Sequence, residues 1–267
     1  MEREYILYTL GSRGTLSISG LDYAEFGGLT SCYILKVNKH ALVIDCGTGL
    51  YNAKEILSDC ERIDVAITHL HYDHILGLLK PDVFPSNVEI NFYSAFDCWY
   101  GQNTFNEFLK KPFWPVKFDS NFVIHDLSEF NNNVELDDDI ELKFVKSHHP
   151  DDTHIIFIKF NNYKIACMFD FEHSGSVDEY LDDLNRCDIL IYDGMYEDAD
   201  FYNHVNWGHS TYEEGCALAN RVNAKRLIIT HHDPNCKDDE LRRREMKSQL
   251  LFKNTRFARC GDKFIII

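Results

Sequence analysis

His69, His71, Asp73 and His74 place four side chains that bind divalent metals within six residues. Imidazole nitrogen and carboxylate oxygen both ligate zinc and related ions, and a strand that stops at a loop projects alternate side chains toward one point. His69 and His71 have that alternation at the end of the short apolar run Ile63 to Thr68. Asp73 and His74 follow where the chain turns toward a helix, so they can aim at a second point close to the first. A loop that merely happens to be polar is a poor account of four such groups together. The chemistry to expect is that of a metal centre.

The elements that must position these groups alternate in type. Tyr5 to Leu10 reads as a strand broken at Gly11-Ser12-Arg13-Gly14, and Thr30 to Val37 with Lys39 to Asp45 reads as a hairpin turned at Asn38. Tyr51 to Ser58 has the pattern of an amphipathic helix, Ile63 to Thr68 of a strand, Ile75 to Leu79 of a short helix stopped by Pro81, and Val88 to Tyr93 of a strand. Strand patterns recur at Glu141 to Lys146, His154 to Asn161, Lys164 to Phe169, Ile189 to Tyr192 and Arg226 to Thr230, and helix patterns at Val177 to Asn185 and Thr211 to Arg221. Asn131 to Asn133 and Asp137 to Asp139 read as turn residues around Val134 to Leu136. The result is one mixed α/β domain spanning residues 1–267, with no repeat and no domain boundary. Between residues 94 and 120 the pattern is irregular and aromatic, and is expected to be a lid-like insertion of helix and loop. Its aromatics, Trp99 to Trp114, suit lid packing, a homodimer contact or stacking on a base.

Composition limits the partners. Asp and Glu number 43 against 27 Lys and Arg, a net charge of −16, which repels long nucleic acid but is compatible with a small anionic substrate at a metal centre. The apolar runs fall far below the roughly 20 residues that span a bilayer. The acidic start Met1-Glu2-Arg3-Glu4 does not read as a secretory signal, so a cytoplasmic protein without membrane contact is expected. The nine cysteines are odd in number and scattered without a Cys-x-x-Cys pair, and are expected as free thiols.

The unaltered His-x-His-x-Asp-His of residues 69–74 makes the chain resemble the metallo-β-lactamase superfamily. The family's further ligands are matched by His149 in Ser147-His148-His149-Pro150, Asp170 after Phe169 and His231 after Thr230, each following a strand pattern. That resemblance implies a four-layer αββα sandwich and a dinuclear centre. One ion would take His69, His71 and His149, the other Asp73, His74 and His231, with Asp170 and a hydroxide between them. The paired histidines leave His148 open as an alternative to His149, and His232 to His231. Zinc is the default for a His-rich site, and the Asp oxygens also suit manganese or iron.

Gly11-Ser12-Arg13-Gly14, Phe26 to Cys32, Ile44 to Gly49, Asp170-Phe171-Glu172-His173, Trp207-Gly208-His209-Ser210-Thr211 and His231-His232-Asp233-Pro234 look like the branch containing tRNase Z-like and cyclic-nucleotide phosphodiesterase enzymes. The likeness implies hydrolysis of a phosphodiester by the metal-bridging hydroxide. Asp73 and His209 would be the catalytic residues, and His209 and His173 would meet the substrate. Ser210 or Thr211 also suits a helix N-cap, a role that leaves His209 unexplained. Only 20 residues separate His149 from Asp170, enough for two strands and a turn but not for the tRNA-gripping arm of tRNase Z. A small, cyclic nucleotide is therefore the expected substrate. The alternatives are a lactonase or thioesterase on the same ligands, a non-catalytic di-iron sensor, and an RNA-processing nuclease. Arg13 suits a surface, ion-pair or phosphate role, His40 and His125 are expected to be solvated, and His154, His173 and His204 are candidates for orienting the ligands.

Overall fold

A computed structural model of the chain describes residues 4–95, 107, 110–112, 114–115, 121–127, 132–173 and 177–266. Most of the expected aromatic lid lies outside the described residues. Of its named aromatics only Trp114 is described, and it packs against the apolar core under the first sheet.

Fourteen described strands form two sheets of seven. The N-terminal half supplies β1 (Tyr5–Gly11), β2 (Cys32–Val37), β3 (His40–Ile44), β4 (Arg62–Ala66), β5 (Ile90–Ser94) and β6 (Phe122–Asp126). The C-terminal half supplies β7 (Asn133–Glu135), β8 (Ile140–Lys146), β9 (His154–Phe160), β10 (Tyr163–Met168), β11 (Ile189–Asp193), β12 (Arg226–Thr230) and β13 (Thr255–Phe257). The last strand, β14 (Asp262–Ile265), crosses back and pairs antiparallel with β1, so the first sheet runs β14-β1-β2-β3-β4-β5-β6 and the second β13-β12-β11-β10-β9-β8-β7. The β2–β3 hairpin turns at Asn38 in the left-handed region (φ 52°), which Asn tolerates better than most residues.

Alternate residues of both sheets, among them Tyr33, Leu35, Ile44, Phe144, Ile156, Ile158, Ile165, Cys167 and Ile191, fill one core between the layers. The outer face of the first sheet is covered by short turns of helix over 48–57 and 72–83, and that of the second by helices Tyr212–Arg221 and Asp238–Leu251. The architecture is the expected αββα sandwich. The cysteines among the described residues are free thiols, and all but Cys260 are buried.

Several expectations change in detail. The helix expected over 51–58 is a 3-10 turn, Thr48–Asn52, followed by a single α-turn, Lys54–Leu57. The helix expected from Ile75 begins at Tyr72, so it takes in Asp73 and His74 before tightening to 3-10 geometry. The helix over 177–185 is likewise a 3-10 turn followed by a single α-turn. Helix Asp238–Leu251 and strands β6, β13 and β14 were not anticipated. That helix has only Asp238, Leu241, Arg244 and Ser248 buried, so its sequence carries almost no apolar period. No described helix is long and apolar enough to cross a membrane.

The two histidines expected to be solvated sit deeper than that, and Arg13, open to a surface, ion-pair or phosphate role, lies in a buried ion pair. His40 is buried with its Nε2 2.6 Å from Asp64, and half-buried His125 stacks on Tyr93 and reaches Asn91. Arg13 is fully buried. It donates to the carbonyls of Gly27 (2.9 Å), Asp233 (2.9 Å) and Cys236 (2.7 Å), with Asp238 3.9 Å away. Asp238 in turn accepts the backbone N–H groups of Glu25 and Phe26. The guanidinium thus ties the exit of β1 to two loops far away in sequence, and it does not meet substrate phosphate. Arg13→Met would leave these carbonyls and Asp238 without their cation, at a cost of about 3 kcal/mol or more. Urea unfolding of the variant checks this, and a loss below about 1 kcal/mol would contradict the structural role.

Candidate metal centre

β3, β4 and β5 run parallel in the first sheet, and β10, β11, β12 and β13 in the second. Their C-terminal ends meet along one edge of the sandwich, the usual place for a ligand in a parallel sheet. Asp45 follows β3, His69 follows β4, His149 follows β8, Asp170 follows β10, Asp193 ends β11 and His231 follows β12. Asp45 (φ 58°), Asp170 (φ 48°) and His231 (φ 58°) all leave their strands in the left-handed region. Such conformations cost of order 1–3 kcal/mol each and persist only where the surroundings enforce them.

Asp170 is the hub. Its Oδ1 lies 3.7 Å from His69 Nε2, 3.9 Å from His149 Nε2 and 3.8 Å from His209 Nδ1. Its Oδ2 lies 2.9 Å from His74 Nε2 and 3.2 Å from His231 Nε2. Asp73 Oδ2 completes the second group, 3.4 Å from His74 Nε2 and 3.2 Å from His231 Nε2. His71 joins the first group, its ring 4.4 Å from that of His69 and 5.2 Å from that of His149, while its Nε2 is held by Asp151 at 2.8 Å. Two clusters therefore form, His69–His71–His149–Asp170 and Asp73–His74–His231, and Asp170, His209 and His231 make a third group that overlaps both; in each group the donor atoms lie within 4.8 Å of one another.

The donor set fits cations. His69 Nε2 is buried without a hydrogen-bond partner, and His74 Nε2 and Asp170 Oδ2, buried and 2.9 Å apart, are not aligned for a hydrogen bond, a costly state for polar atoms unless something else satisfies them. The charges point the same way. Burial works against ionisation of Asp73 and Asp170, yet the facing imidazoles hold both carboxyls well below the usual carboxylate range. Burial disfavours a charged His231, yet Asp170 and Asp193 push its pKa up to about 9. Carboxylates that draw protons onto neighbouring imidazoles in this way are equally suited to divalent ions.

The alternatives left open at the paired histidines separate by placement. His148 pairs with Glu179 at 2.7 Å and stacks on Phe171, while His149 faces Asp170. His232 sits 3.0 Å from the Ala258 carbonyl, packed on Phe26 and Phe257, with its pKa lowered to about 3 by burial, while His231 joins the cluster. His209 reaches the cluster from the segment before helix Tyr212–Arg221, whose N-cap is Thr211, accepting the Glu214 N–H at 3.2 Å. His173 packs on Phe201 and bonds to Ser210, and is not among the residues lining the cleft over the centre. His204 stacks on Tyr196 in the cleft wall, orienting no member of the cluster.

Two buried carboxylates that the sequence reading did not single out hold the cluster from behind. Asp45 accepts from the Thr68 N–H (2.8 Å) and hydroxyl (2.9 Å) and holds His74 Nδ1 at 2.7 Å. Asp193 holds His209 Nδ1 at 2.9 Å, accepts the Met195 N–H, and lies 3.7 Å from His231 Nδ1. Their signal was an Asp closing an apolar strand, as at Asp170. Thr15 donates its backbone N–H to Asp73 Oδ2 at 2.7 Å, and Thr153 Oγ1 sits 3.0 Å from His149 Nδ1. Two glycines make room: a Cβ on Gly14 would strike the His231 ring, and one on Gly208 (φ 86°) the His149 ring.

Comparison with known proteins agrees with this fold. The family model for the β-lactamase superfamily domain matches residues 40–232. Ribonuclease Z 2, mitochondrial, of Schizosaccharomyces pombe is 23% identical over 222 residues, covering 75% of this chain, which spans about a third (31%) of that protein's length. The metallo-β-lactamase fold protein YhfI from Bacillus subtilis superimposes with a TM-score of 0.76 at 16% identity, over 99% of this chain and 100% of that one. The short form of human tRNase Z gives 0.71 at 18% identity (98% and 99% covered), and a diphosphatase of the PhnP family 0.70 at 20% (99% and 98%). With its sandwich, its edge of strand-end ligands and its matched family model, the chain belongs to the β-lactamase superfamily.

Proposed function

We propose that the chain is a dinuclear metal-dependent phosphodiesterase acting on a small, cyclic nucleotide phosphodiester. The observation that carries the reading is the division of the Asp170 carboxylate, with one oxygen facing His69 and His149 and the other facing His74 and His231. A carboxylate so placed suits two ions about as far apart as a phosphoryl group needs. His69, His71 and His149 would hold one ion and Asp73, His74 and His231 the other, with Asp170 shared. Zinc suits the imidazoles, and manganese or iron the carboxylates. Ions bound there would supply Lewis acidity toward phosphoryl oxygens and a water activated near neutral pH.

The chain's own groups supply the rest. Asp193 holds His209 Nδ1, which fixes the ring and leaves Nε2 for a hydrogen-bonding or proton-transfer role toward a phosphate oxygen or the departing alkoxide. The relatives support a phosphoryl substrate: by name they are a ribonuclease, a tRNase and a diphosphatase. Two features of this chain support a small substrate. The segment between His149 and Asp170 is the β9–β10 hairpin alone, and the net charge of −16 opposes a long polyanion.

Turnover of bis-p-nitrophenyl phosphate and of cyclic nucleotides, lost on chelation and restored by zinc, manganese or iron, is the expected result of a substrate panel. Hydrolysis of lactones or thioesters without phosphodiester turnover would overturn the reading, and so would metal-loaded protein with no turnover of any panel member. Asp193→Asn is expected to lower kcat about 10- to 100-fold while the protein stays folded and metal-loaded, the usual effect of removing a group that orients a site histidine. An unchanged kcat would remove Asp193 from the account.

A further inference from the structure

The cleft over the centre, about 600 Å³, differs from what a polyphosphate or RNA site requires. Among the described residues that line it there is no Lys or Arg, so those residues offer a second phosphate no permanent cation. Much of the wall is apolar and aromatic instead. Trp207 is 60% exposed, Tyr72 68% and Leu16 63%, an unusual concentration of exposed large side chains around one opening.

Trp207 is held in place from below. Glu172, buried and two residues beyond Asp170, accepts the backbone N–H of Asn206 at 3.0 Å on one oxygen and that of Gly208 at 2.9 Å on the other. The two bonds bracket Trp207, and both flanking residues have left-handed φ (Asn206 68°, Gly208 86°), a conformation the clamp maintains. The indole packs edge-on against His204 at 4.9 Å, His204 stacks on Tyr196 at 4.1 Å, and Tyr196 meets the edge of His209 at 6.1 Å. A row of rings thus leads from the metal centre to an exposed indole whose position is fixed by the same loop that carries Asp170. A tryptophan exposed only by chance would need no buried carboxylate to hold its backbone.

We infer that Trp207 is a specificity-determining platform on which an aromatic ring of the substrate stacks, and that the cleft takes a single phosphodiester or phosphomonoester group attached to such a ring rather than a polyphosphate or a polynucleotide. The inference deepens the proposed function and rests on it for the identity of the reacting bond, but stacking is measured separately from turnover. Base stacking on an aromatic side chain is sequence-tolerant and strong enough to dominate affinity where cations are absent.

The test is binding of adenosine 5′-monophosphate, ribose 5-phosphate and adenosine 5′-diphosphate to the metal-loaded protein, by calorimetry and by quenching of tryptophan fluorescence. The monophosphate of adenosine should bind about tenfold or more tighter than ribose 5-phosphate and quench the fluorescence, while the diphosphate gains less than about threefold over the monophosphate. Trp207→Ala should abolish the quench and the adenosine preference while leaving the affinity for ribose 5-phosphate unchanged, and Trp207→Phe should keep the preference. Equal binding of adenosine and ribose phosphates, an unchanged preference in Trp207→Ala, or a diphosphate bound more than about tenfold tighter would each overturn the inference. Because these are binding constants, loss of the preference with phosphodiester turnover intact refutes the platform alone, whereas stacking without turnover refutes the proposed function alone.

Discussion

A buried carboxylate with imidazoles on both of its oxygens is the interaction on which this structure depends. Asp170 sits at the meeting point of both clusters, in a left-handed conformation just after β10, with its Oδ2 buried against His74 and His231 but not aligned with either for a hydrogen bond. A desolvated arrangement of this kind is unfavourable unless positive charge lies between the groups, because buried polar atoms must be satisfied and buried charges paired. Protons on His74 and His231 achieve part of that balance, and two divalent ions would achieve it fully. Fold stability and site chemistry are therefore linked through the same residues.

The sandwich explains how residues so distant in sequence arrive together. Each sheet contributes parallel strands whose C-terminal ends reach the same edge, so the four donors that follow β4 meet single residues from the other strand exits there. The supports belong to the same geometry. Asp45 at the exit of β3 braces His74, and Asp193 at the end of β11 braces His209, so the two walls of the centre are fixed by buried acids that point inward from the sheets. Arg13, buried where β1 leaves the first sheet, ties down the loop that follows His231 and carries Asp233.

Residues 69–74 were legible in the sequence because one strand exit and one helical turn hold four donors in succession, a spacing few structures need for other reasons. His149, Asp170 and His231 were legible through the resemblance to the family, which calls for a His, an Asp and a His after later strands. Asp45 and Asp193 close apolar runs, but an Asp at a strand end is more often a turn residue, and only three-dimensional proximity distinguishes the two uses. His148 and His232 show the same limit: neighbours in sequence point to opposite sides of the chain, and one member of each pair is taken up by Glu179 or by the Ala258 carbonyl. The burial of Arg13 and the presence of helix Asp238–Leu251 were not legible because they depend on polar partners rather than on an apolar pattern. Trp207 read as part of a motif, and its platform geometry appears only with the Glu172 clamp in place.

Anomalous diffraction from crystals grown with zinc tests the central claim most directly. Two peaks are predicted, one among His69, His71 and His149 and the other among Asp73, His74 and His231, with an oxygen of Asp170 nearest to each. A single peak, or two peaks with Asp170 turned away from both, would contradict the account.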